Sequence, residues 1–153
     1  MSDIGAPDSV FEAFIEQLER YVRDRLVPAE NETIELNRVP DDIRKEMAEM
    51  GLFGITFPEQ YGGGGFNHSQ YVKFVEVLSW ALPAFRSILS INAGMTGSAI
   101  VNYGTDAQKR EWLPRLASGE VACFGLTEPV RARMQRRSQH VRSGTAMITF
   151  SMA

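Results

Sequence analysis

Cysteine is all but missing from this chain: Cys123 is the single one among 153 residues. That excludes an internal disulfide and suits a reducing compartment. Cys123 lies in an apolar run with neither histidine near it, so it reads as a small buried hydrophobe rather than a nucleophile. The two histidines, His68 and His140, are too far apart in sequence for metal-ligand spacing, and no metal is expected. No apolar run reaches the length of roughly 20 residues that a membrane-spanning helix needs. The N-terminus is acidic and carries neither a basic-then-apolar leader nor an Arg-rich transit pattern, so a cytoplasmic protein is expected.

Acid is absent from one end only. From Val130 onward there are five arginines and no Asp or Glu, which leaves eleven basic against nineteen acidic residues, or −8, in residues 1–129. An acidic body argues against nucleic acid as its partner. Five scattered arginines are also what plain disorder looks like, so the tail alone is weak evidence for such a partner.

What is present is helical patterning. Ser9 and Glu12 form a capping-box pair, followed by Phe11, Phe14, Ile15, Leu18, Val22 and Leu26 at helical spacing, with Pro28 as the stop. Pro40, Asp41 and Asp42 open a second helix with Ile43, Met47 and Met50 on its apolar face and Gly51 at its end. The acids suit the positive end of that helix. After the loop "GLFGITFPEQYGGGGFN", Asn67 and Gln70 cap a third helix bearing Tyr71, Phe74, Val75, Leu78 and Leu82. A fourth, about Phe85 to Val101, is apolar on most sides and belongs in the middle of a domain. Its small residues either admit a close helix neighbour or leave room for a ligand, packing being the commoner reason. Gly104 closes it, and Thr105 and Gln108 cap a fifth helix that turns Trp112, Leu113 and Leu116 inward, with Pro114 bending or shortening it. Gly119 ends that helix and "VACFGLT" begins a strand, whose partners would have to follow.

Three stretches in this order resemble the N-terminal part of the acyl-CoA dehydrogenase family of flavoenzymes: "MGLFGITFPEQYGGGGFNHSQYVKFVEVLSW", "NYGTDAQKREWLPRLASGE" and "ACFGLTEP". They follow the family's G-x-x-G-I/V-x-x-P-E-x-Y-G-G-x-G loop, its G-T-x-x-Q-K-x-x-(Y/W)-L-P helix and its (F/Y)-x-x-T-E-P strand. The resemblance implies a mainly α fold, the family's N-terminal helical domain, with only the start of the middle β-domain. It implies boundaries at 1–120 for the helical domain and 121–129 for the first β-domain strand. In that family the strand lies along the ring of FAD, which accepts a hydride as an acyl-CoA thioester is dehydrogenated. Phe124, Leu126 and Thr127 are then flavin contacts, the Thr127 hydroxyl stabilising charge on the reduced ring. Phe124 is as readily a core aromatic. The fourth helix resembles the one that helps line the acyl-chain cavity, which makes Ile91, Met95 and Ala99 candidate liners. No catalytic residue is expected in the chain. Glu128 occupies the motif's turn position, and the family's base lies far downstream. An intact family member is expected to be a homotetramer acting on acyl-CoA, with no membrane and no nucleic-acid partner.

The resemblance stops at Pro129. The family continues T-E-P-x-A-G-S-D, whereas this chain reads "VRARMQRRSQHV". Reading codons from the third base of Val130 allows "AGSDAAALSTRAVRDGDDYVLNG". Within it, Met134 before Gln135 forces an Ala, Met147 before Ile148 an Asp, and Met152 before Ala153 the last Gly. That restores the motif, an alternating strand and a D-G-D turn. Residues 130–153 are therefore expected to be an out-of-frame, disordered basic tail, and the polypeptide to be inactive alone and to hold no FAD. Two other readings predict different behaviour. A small helical interaction module would co-purify with a longer subunit, and a nucleic-acid protein using the Arg tail would bind in a salt-sensitive way.

Overall fold

The computed structural model describes residues 5–123 and Gly125. Among them the chain is helical with no strand, in agreement with the mainly α expectation.

Helix α1 (Asp8–Tyr21) continues through a wide π turn at Val22–Leu26. The expected Ser9–Glu12 box does not form. The helix starts two residues earlier, on Pro7, whose carbonyl accepts from the amides of Val10 and Phe11 at 3.0 Å each. The entry is fixed from outside the helix instead: Gln70 Oε1 accepts from the Ala6 amide and Gln70 Nε2 donates to the Ala6 carbonyl. The buried face of α1 is the one its spacing predicts, with Ile15, Leu18, Val22 and Leu26 inside and Phe11 and Phe14 packed edge-on against Phe66. Each such buried Leu, Ile or Val contributes about 1.5–3 kcal/mol.

The chain turns at Pro28 and forms a short helix that sequence patterning does not announce, α2 (Glu30–Leu36). Only Thr33 is buried in it, while Ile34 and Leu36 are exposed, so no apolar stripe marks it. Glu30 ties α2 to the domain by accepting from the Leu82 amide at 2.8 Å. Helix α3 (Asp41–Glu49) starts on Pro40 and buries Ile43 and Met47, as expected. It is bound to α1 by a polar cluster: Tyr21 Oη donates to Glu46 at 3.1 Å, and Arg25 reaches both Glu46 and Asp42.

Burial, then the Glu46 carboxylate, raise the Tyr21 hydroxyl well above its ordinary value near 10. A raised folded-state value means that the protonated phenol stabilises the fold below pH ~10 and that this contribution is lost as pH climbs toward the folded value. Tyr21 is expected to ionise well above the ordinary tyrosine value, and Tyr21→Phe to flatten the alkaline loss of stability. Ultraviolet tyrosine titration paired with melts above pH 9 checks both, and an early-titrating Tyr21 would contradict them.

Helix α4 (His68–Leu78) opens on the predicted Asn67–Gln70 box, with the Gln70 amide donating to Asn67 Oδ1 at 2.9 Å. It buries Phe74, Val77 and Leu78. Leu82 falls in the turn beyond it rather than on its face. The expected fourth helix runs longer than its pattern, as α5 (Pro83–Leu89), a π segment at Ser90–Gly97, and α6 (Ser98–Tyr103). Thr105 and Gln108 cap α7 (Asp106–Ala117) as predicted. Pro114 does not end α7. Both Pro114 and Arg110, whose carbonyl loses its helical donor, face solvent.

Two apolar clusters result. The larger is built from α1, α3, α4 and α5 around Phe53, Phe74 and Phe85. The smaller holds Phe57, Ile100, Leu113 and Leu116, with Trp112 partly buried against it under Arg115, 4.4 Å from the ring centre.

Candidate functional site

The glycine-rich stretch is a tight loop, not a linker. Backbone amides of Gly64, Gly65 and Phe66 donate back to the carbonyls of Gly54, Phe57 and Ile55 at 3.1, 2.9 and 3.0 Å. This folding carries Phe57 into the interior, fully buried, against the π segment, where a Cβ on Gly97 would stand 2.1 Å from its ring. A second contact lies at Gly94, where the Tyr71 hydroxyl approaches the backbone. The small residues of this helix therefore serve close packing, at least on this side.

The π segment presents two different sides. Asn92, Ala93, Thr96 and Gly97 are buried. Ile91 and Ala99 are half-buried and Met95 is 44% exposed, so the three candidate liners, spaced by four, share the open side. The sequence expectation of a helix enclosed all round is thereby corrected. Its apolar composition outruns its burial, with Met95 exposed among the described residues.

Opposite that open side, Asn92 holds the chain leaving α7. Its Oδ1 accepts from the Ala122 amide at 2.9 Å, and its Nδ2 donates to the Glu120 carbonyl at 2.6 Å, with the Leu116 carbonyl at 3.5 Å. Sequence reasoning missed Asn92. A lone Asn in a helix of small residues carries no pattern, and its role appears only when residue 122 returns to it. Thr96 Oγ1 is buried with no hydrogen-bond partner among the described residues. An unpaired buried hydroxyl costs about 1–3 kcal/mol, so Thr96→Val is expected to raise stability by about 1 kcal/mol. A melting curve checks it, and a destabilised variant would show that this hydroxyl does have a partner.

Of the residues assigned to the flavin by resemblance, Phe124, Leu126 and Thr127 all lie outside the described residues. So do Glu128, Pro129 and the basic tail of 130–153. Cys123, expected to be buried, is exposed: the chain has already left the smaller cluster, to which Ala122 is its last contact among the described residues. Gly125 is exposed too, with nothing within 4 Å of where a Cβ would stand. The described part thus ends in a turn anchored at Ala122. Asp41 and Asp42, the carboxyls whose acidity the structure shifts, are held low and exposed, by Arg38 in the first case and the Ile43 amide in the second. They are surface ion-pair groups on α3, not bases.

These features define an all-helical domain whose chain leaves α7 through a turn pinned by Asn92. Residues 10–120 match the model of the family described as "Acyl-CoA dehydrogenase, N-terminal domain". The chain belongs to the acyl-CoA dehydrogenase family. It is 35% identical over 116 residues to the mitochondrial very long-chain specific acyl-CoA dehydrogenase of Macaca fascicularis, covering 75% of this chain and 17% of that protein. It is 36% identical over 124 residues to (2S)-methylsuccinyl-CoA dehydrogenase of Cereibacter sphaeroides, covering 80% and 22%. A glutaryl-CoA dehydrogenase from Mycobacterium smegmatis, solved in complex with FADH2, superposes with a TM-score of 0.71 at 33% identity, over 81% of this chain and 32% of that one. The chain therefore spans about a fifth of the length of these two curated relatives.

Proposed function

We propose that this chain is the leading part of an FAD-dependent acyl-CoA dehydrogenase, and that the 153-residue polypeptide taken by itself is inactive. The observation that carries the first half is the match of residues 10–120 to the family's N-terminal domain. Residues 1–120 form the helical domain, and 121–129 are the first strand of the middle β-domain. Phe124, Leu126 and Thr127 contact the flavin, and Ile91, Met95 and Ala99 line the acyl chain's path. FAD, where bound, takes up the hydride removed from the acyl thioester. This chain's contribution is a hydroxyl at Thr127, apolar surface at the π segment, and a fixed start for the strand. The whole enzyme is a cytoplasmic homotetramer acting on acyl-CoA.

The second half follows from what these residues contain. The flavin contacts assigned above amount to one short strand, and no carboxylate in the chain stands at the family's catalytic position. Purified as the 153-residue chain, the protein is expected to be colourless, with no visible flavin absorbance and no change on adding acyl-CoA. A yellow protein that bleaches on acyl-CoA would overturn the inactivity. A protein that binds neither FAD nor acyl-CoA even when joined to a family middle and C-terminal domain would overturn the family function.

A further inference from the structure

We propose that Asn92 is a positioning residue, the clasp that fixes where the chain beyond α7 departs from the helical domain. Its side chain is fully buried, so each of its polar atoms needs a partner. Both atoms spend their bonds on one short piece of chain. Oδ1 takes the amide of Ala122, and Nδ2 serves the carbonyl of Glu120 and lies 3.5 Å from that of Leu116 at the end of α7. An uncharged amide carries its acceptor and its donors on separate atoms, as these partners require.

The surrounding turn leads the chain to Asn92. Gly119, with φ +96°, reverses its direction, and a Cβ there would stand 2.8 Å from Ala48 Cβ. The Glu120 amide donates to the Arg115 carbonyl at 3.2 Å, and the Glu120 carboxylate accepts from Arg115 Nε at 2.9 Å. These bonds stop at Glu120. Beyond it, the hydrogen bond that holds the chain among the described residues is the one from the Ala122 amide to Asn92. Phe124 is two residues further on and Thr127 five, so the clasp sets their starting point. Asn92 also sits on the π segment that carries Ile91 and Met95, with Ala99 just beyond it in α6. One rigid turn thereby relates the strand to the acyl-facing surface. The link to flavin and acyl chain rests on the proposed function. The clasp itself does not.

The test is amide hydrogen exchange of the full 153-residue chain, with a nitroxide on Cys123, exposed and the sole cysteine, as a second reporter. In Asn92→Leu, the Ala122 amide is expected to exchange about tenfold faster, the loss of one ordinary hydrogen bond, and the nitroxide to become mobile. Exchange in α1, α4 and α5 stays as in the parent. Asn92→Asp keeps the acceptor for Ala122 but sets a charge against two carbonyls, so its exchange falls between parent and Leu. It also stands in if Asn92→Leu does not fold. Unchanged exchange and an unchanged nitroxide in both variants would overturn the clasp. So would faster exchange spread evenly over all helices, which would make Asn92 an ordinary core residue. No flavin enters the experiment, so a failure of the flavoenzyme reading leaves these outcomes unaltered.

Discussion

Gly97→Ala is expected to destabilise the domain by about 2–3 kcal/mol, the upper range for overpacking, and to lower its melting temperature by on the order of 10 °C. Helix propensity alone argues the other way, since Ala in a helix interior is favoured over Gly by about 1 kcal/mol. Contact decides. The added methyl would stand 2.1 and 2.3 Å from Cε1 and Cζ of Phe57 and 2.6 Å from the Asn92 carbonyl oxygen. The ring is fully buried and has nowhere to go, so either Phe57 leaves its rotamer or the π segment shifts. Shortening the ring should relieve most of this. Phe57→Leu in the Gly97→Ala background is expected to recover stability relative to Gly97→Ala alone, and a double-mutant cycle in thermal melts measures the coupling. A Gly97→Ala protein that melts at or above the parent would show that the segment does not pack on Phe57.

Gly63→Ala is expected to be worse, about 3 kcal/mol or more, and not to be rescued by Phe57→Leu. Here the added methyl meets Phe57 at its carbonyl oxygen (2.2 Å), carbonyl carbon (2.5 Å) and Cβ (2.5 Å), atoms that a shorter side chain leaves in place. That carbonyl also accepts from the Gly65 amide at 2.9 Å, so moving it unpicks the loop. The pair of experiments separates a clash with a ring from a clash with the backbone. Rescue of Gly63→Ala by Phe57→Leu would contradict the loop geometry, and so would a full helical signal with an unchanged melt.

Much of this was legible in the sequence wherever a local rule had one outcome. The Asn67–Gln70 and Thr105–Gln108 boxes formed because their partners lie three residues away and nothing else competes for them. The α1 stripe held because six apolar positions repeat at one period. Ser9 and Glu12 satisfy the same capping rule and lost to a partner 64 residues away, Gln70, which grips Ala6 and brings the chain in at Pro7. Helix α2 went unread because it is held by one long-range bond from Glu30 rather than by an apolar face. The π segment, Asn92 and the exposure of Cys123 depend on what returns to a position from far along the chain, which periodicity does not record. At the candidate site the family motifs point to Phe124, Leu126 and Thr127, which lie outside the described residues, whereas Asn92, which holds the Ala122 amide, carries no motif at all.

The nucleotide sequence of the gene across codons 129–153 tests most directly the proposal that the chain up to Pro129 is the front of a flavoenzyme and that the family's continuation is encoded one base over. The expected result is a set of codons that, read from the third base of Val130, spells A-G-S-D, then the alternating strand and D-G-D turn, and ends in Y-V-L-N-G. In-frame codons that cannot spell A-G-S-D in that register would contradict it.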